Sequence, residues 1–163
     1  PTPAARPSFR LVSLAPAPFE SLWTLPDDAL AALGACRVVA DEADAFPCRV
    51  SLADAEVGET LLLLPHQHLD THSPYRAGGP IFVREGVARA VLAPGVVPPY
   101  VARRLMSVRA YDAADRMVAA EVCDGAGVAT VIEQMFADAG VAFIHLHNAR
   151  RGCFSCRVER VVA

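Results

Sequence analysis

The side chains best suited to chemistry are five histidines and five cysteines, and they are densest in His145-Leu146-His147-Asn148-Ala149-Arg150-Arg151-Gly152-Cys153-Phe154-Ser155-Cys156. Arg150-Arg151-Gly152 has the pattern of a three-residue hairpin loop, two turn residues followed by a glycine in the left-handed conformation. That loop sets Ala149 opposite Cys153, His147 opposite Ser155 and His145 opposite Arg157. Strand alternation then gives Ile144, Leu146, Phe154, Cys156 and Val158 to a core face. His145, His147, Cys153, Ser155 and Arg157 share the opposite, polar face. Two imidazoles and a thiolate on one face are ligand types for zinc or another thiophilic metal or metalloid. Cys48, in Phe46-Pro47-Cys48-Arg49, or His66, in a second His-x-His pair with His68, would close the shell. The expected ligands are therefore His145, His147, Cys153, Cys48 and His66.

The same residues permit metal-independent chemistry. Cys153 is a candidate nucleophile and His147 its general base, because thiolate attack needs an adjacent imidazole. Arg49 and Arg84 are candidate binding residues for an anionic substrate or cofactor, since a guanidinium fork matches a carboxylate or phosphate. Asn148 would face away from His147 on a strand, which argues against its orienting that base. Cys153-Phe154-Ser155-Cys156 is a CxxC only as text: on a strand the two thiols point to opposite sides, whereas a redox pair sits at a helix N-terminus. Asp124-Gly125-Ala126-Gly127 lacks the third glycine of a dinucleotide-binding turn and reads as a helix-opening turn. Neighbours Asp70, His72 and Ser73 lie on one loop, without the nucleophile elbow of a serine hydrolase.

Composition narrows the classes further. All fifteen basic residues are Arg, so no chemistry that depends on lysine is available. A net charge of −3 offers no electrostatic footprint for nucleic acid. No apolar run reaches the length of a membrane span. Pro1–Ser8 is polar and not followed by a signal-peptide h-region, and the cysteine count is odd, so reduced thiols in a cytoplasm are expected. The implied partner is a metal ion or a small anion. An interaction module without any site is the third reading, and it would show an exposed apolar patch.

These residues need a scaffold, and 163 residues that are 53% hydrophobic suffice for one core. The spacing predicts strands at Phe9–Leu14, Cys36–Ala40, Cys48–Leu52, Thr60–Leu64, Ile81–Arg84, Ala88–Leu92, Val108–Asp112, Met117–Cys123, Val141–Asn148 and Cys153–Val161. Helices are expected after Pro26, after Pro98-Pro99 and over Val128–Asp138, the last carrying Val128, Val131, Ile132, Met135 and Phe136 at helical spacing. His66–Pro80, rich in His, Pro and Gly, reads as a long functional loop. The expected class is α+β: a mostly antiparallel sheet with helices packed on one face. It forms a single domain over residues 9–163, behind a flexible N-terminal tail over residues 1–8.

Three motifs resemble one family. Phe46-Pro47-Cys48-Arg49-Val50-Ser51-Leu52, then Ser73-Pro74-Tyr75 with Gly79-Pro80-Ile81-Phe82-Val83-Arg84, then His145–Cys153 are similar in order and spacing to the bacterial domain-of-unknown-function 1203 family. The resemblance runs from about Phe9 to Arg160. It implies a small single-domain bacterial protein and assigns no catalytic roles. Cys48, Arg49, His145, His147 and Cys153 fall within its motifs; Cys156 and the histidines of 65–72 do not.

Overall fold

The computed structural model describes residues 6–162. The strands are β1 (Phe9–Val12), β2 (Cys36–Val39), β3 (Pro47–Cys48), β4 (Ala53–Asp54), β5 (Thr60–Leu69), β6 (Ala77–Arg84), β7 (Leu105–Tyr111), β8 (Met117–Asp124), β9 (Phe143–Asn148) and β10 (Phe154–Arg160). The α-helices are short: α1 (Ala17–Glu20), α2 (Asp27–Ala32), α3 (Pro99–Ala102) and α4 (Val128–Phe136). Of the expected N-terminal tail, residues 1–5 lie outside the described residues.

The strands form two five-stranded sheets, ordered β1-β10-β9-β7-β8 and β2-β5-β6-β3-β4. All pairs are antiparallel except β3 with β6. The expected antiparallel α+β class holds at that level, with two sheets in place of one. The helices are divided between them. Val128, Ile132 and Phe136 of α4, with Tyr100 and Val101 of α3, join Met106, Val108, Ile144, Leu146 and Val158 in the core of the first sheet. Phe19 of α1 and Leu30 of α2 join Leu62, Leu64, Ile81 and Val83 in the core of the second. Burying a Leu, Ile or Phe side chain contributes about 1.5–3 kcal/mol, so each sheet carries its own substantial apolar driving force. Among the described residues no helix is long and apolar enough to cross a membrane.

Several local expectations change. Thr60–Leu64 continues through Pro65 to Leu69, so the anticipated 66–80 loop is mostly β5 and β6, and His66 and His68 stand on a strand. Pro65 pairs with Pro80 where neither β2, which ends its pairing at Leu63, nor β3, which meets Phe82, flanks the ladder. Two missing N–H donors therefore interrupt no outer ladder, which is where strand prolines are tolerated. Cys48–Leu52 is a strand only at its start, because the chain turns and Leu52 takes a positive φ of 49°. Ala88–Leu92 forms no strand; a single bridge joins Val91 to Val12.

Gly125 shows how tightly one wall of the molecule is built. It is buried, its N–H donates to the Arg104 carbonyl at 2.7 Å, and a Cβ there would overlap the Val101 carbonyl at the end of α3. Backbone cannot yield as a side-chain tip can. Gly125→Ala is expected to cost on the order of 3 kcal/mol, at the upper end of ordinary overpacking, read as a lowered denaturation midpoint in urea.

Candidate metal centre

The β9–β10 hairpin closes differently from the expected loop, and the difference decides which side chains meet. Asn148 N–H donates to Cys153 O at 2.9 Å, and Gly152 N–H to Asn148 O at 2.7 Å, so the loop is Ala149–Gly152, four residues long. Gly152 has the anticipated positive φ, 79°. His147 consequently faces Phe154, one residue earlier than expected. A bulge between Phe154 and Cys156 then absorbs one residue, and His145 faces Arg157 as expected. Ser155 is buried in the bulge, where its hydroxyl and carbonyl meet Tyr100 Oη at 2.6 and 3.0 Å.

Three corrections follow from that shift. Phe154, expected in the core, stands on the histidine face; its ring packs edge-on against His145 and His147. Ser155 leaves that face. Cys153 leaves it too and lines a cleft with Asn148, Arg49, Arg150 and Arg151. Cys156 lies in the core, so the two thiols of the CxxC do point apart.

The place assigned to Cys153 is taken by His68. The second half of β5 lies over the histidine face of the first sheet, where His68 stacks on Phe154 with ring centroids 5.3 Å apart and planes 3° from parallel. Its centroid is 4.7 Å from that of His147 and 5.8 Å from that of His145. One ring nitrogen from each of His68, His145 and His147 lies within 4.8 Å of the other two. Below this, Leu69, Tyr111 and Phe143 seal the space between the sheets.

The hydrogen bonding of the three rings is incomplete in a specific way. His147 Nδ1–H donates to the Gly152 carbonyl at 2.9 Å, because a carbonyl can only accept. That fixes the neutral tautomer and leaves the Nε2 lone pair free. His147 Nε2, His145 Nδ1 and both nitrogens of His68 are buried without a partner. Burial holds His145 at a pKa of about 3 and His68 and His147 at about 4, and neighbouring imidazole and guanidinium charge pushes the same way. All three rings are therefore neutral at pH 7, the form that ligates a metal.

The remaining expected residues are elsewhere. Cys48 is fully buried in the second sheet's core, where its sulfur accepts long N–H contacts from Ser51 and Arg84 at 3.4 and 3.3 Å. His66 approaches the Phe154 ring at 5.8 Å without joining the triad. Arg84 is engaged by Glu59 at 2.6 Å and by Ser51, outside the cleft that Arg49 lines. Cys153 and His147 share no hydrogen bond: the thiol's contact is Arg151 O at 3.9 Å, and the imidazole is held by Gly152.

A family model described as protein of unknown function, DUF1203, matches residues 45–160, more than two thirds of the chain. The chain belongs to the DUF1203 family. All three motifs fall inside the matched span, as do His68 and both other histidines of the triad; the span begins later than the Phe9 start that the motifs suggested. No curated protein and no solved structure matches the chain.

Proposed function

We propose that this DUF1203 protein binds one borderline divalent transition metal ion, zinc being the reference case, through His68, His145 and His147. The observation that carries the reading is the orphaned nitrogen set. Buried polar atoms in folded proteins nearly always have partners, and here four imidazole nitrogens on three converging rings have none. Carbonyl-held Nδ1 of His147 is the usual support for a metal-ligating histidine. Tetrahedral zinc at 2.0–2.1 Å from each nitrogen would draw them to about 3.3 Å apart, a contraction within reach of ring rotation.

The donor set also states which metals suit it. Three imidazoles without thiolate favour zinc, cobalt, nickel or copper over the softer cadmium and metalloids that a cysteine ligand would have selected. Three protein ligands leave a position open, as in catalytic rather than structural sites. Arg109 and Arg157 flank His145 on the two neighbouring strands. Arg157 is paired with Glu159 at 3.0 Å, so the uncompensated charge among the described residues is that of Arg109, which favours hydroxide or another anion as the remaining ligand and lowers the cost of ionising a bound water.

Titrating zinc and cobalt into chelator-treated, desalted protein should give one site per chain, and bound cobalt should show the intense visible absorption of a tetrahedral centre. Saturation at no defined stoichiometry, or a cobalt spectrum of the hexa-aquo ion alone, would overturn the reading.

A further inference from the structure

A second site lies at the tip of the same hairpin, and no histidine of the triad lines it. It is a cleft of about 800 Å3 walled by Pro47, Phe82, Arg104, Gly125 and the loop 148–153. That volume suits a metabolite-sized molecule. At its base is Arg49, only 2% exposed. Its Nε donates to Phe154 O at 2.7 Å and Nη1 to Pro47 O. Its side-chain partners among the described residues are these two neutral carbonyls, with no carboxylate. The neighbouring cations are compensated: Asp44 pairs with Arg103, and buried Asp54 pairs with Arg103 and Arg104. Arg150 and Arg151 on the rim form no ion pair among the described residues, and the remaining acid in the wall is exposed Asp124. A guanidinium taken out of water without a counter-charge is costly, and such cations are normally paired. A nearly buried cation with no counter-charge among the described residues thus lines this cavity.

We infer that this cleft binds a small oxyanion-bearing molecule, a carboxylate or phosphate, with Arg49 as its counter-charge and Arg150 and Arg151 as further cationic contacts at the rim. Arg84, paired with Glu59, takes no part. Cys153 stands in the wall, so its thiol reports occupancy. The inference is independent of the metal centre.

The test measures iodoacetamide alkylation at each cysteine by peptide mass spectrometry, on protein freed of metal and desalted, with inorganic phosphate, succinate or chloride at equal ionic strength. Exposed Cys36, outside the cleft, is the internal reference. Phosphate, succinate or both should slow Cys153 about five-fold or more once well above the dissociation constant, and leave Cys36 unchanged. Which anion protects distinguishes a phosphate ligand from a carboxylate one. Protection should vanish in Arg49→Gln and weaken in the paired rim change Arg150→Gln with Arg151→Gln, which decides the matter if Arg49→Gln does not fold. It should persist in His68→Ala, separating this outcome from failure of the metal reading. Equal alkylation in all three salts, or protection unaltered in the arginine variants, would overturn the inference.

Discussion

His68→Ala is expected to weaken zinc binding roughly 100- to 1,000-fold, while Cys153→Ser leaves it unchanged within error. The magnitude follows from the zinc affinity of four-ligand protein sites, about 10–16 kcal/mol, which makes each ligand worth roughly 2.5–4 kcal/mol. The contrast between the two variants matters more than either value. Cys153 is the more obvious ligand by residue type, yet its sulfur lies in the arginine-lined cleft, whereas His68 stacks on Phe154 within reach of His145 and His147. Calorimetric titration of both variants beside the parent protein checks it. A Cys153→Ser loss as large as that of His68→Ala would return the thiol to the ligand set and contradict the observed hairpin register.

Metal-free protein should lose several kcal/mol of stability as pH falls from about 6.5 towards 4. The sign follows from proton counting. An unfolded histidine takes up its proton near pH 6.5, whereas burial holds His68 and His147 to about 4 and His145 to about 3 in the fold. Between those values the unfolded state binds more protons, so acid favours it by up to about 1.4 kcal/mol per pH unit for each such ring. The stabilisation is fully present above pH 6.5 and lost as pH drops through the folded values. Urea denaturation across this range measures the slope. Replacing the three histidines by glutamine should flatten it, and a slope unaffected by that replacement would show that these rings charge freely in the native protein.

The parts of this molecule that follow local rules were legible in the sequence. The helix over 128–136 is set by apolar residues at helical spacing. The β7–β8 hairpin and Gly152's positive φ follow from turn chemistry. His145 and His147 on one face follow from strand alternation alone. Two tertiary features were not legible. Pro65 and Pro80 read as loop residues, and only their mutual pairing in an unflanked stretch of ladder lets β5 run on to carry His68. The bulge at Ser155 is held by Tyr100, 55 positions away, so nothing within the hairpin announces that Phe154 and Cys153 exchange faces. The second His-x-His was the available signal for His68; read as a continuation of the Thr60–Leu64 strand, it would have placed both histidines at sheet spacing.

Zinc K-edge X-ray absorption on the one-to-one zinc complex tests the central claim most directly. A His68, His145 and His147 centre predicts nitrogen or oxygen scatterers near 2.0 Å, with the multiple-scattering pattern of three imidazoles and no sulfur shell. A sulfur shell near 2.3 Å, or fewer than three imidazoles, would contradict it.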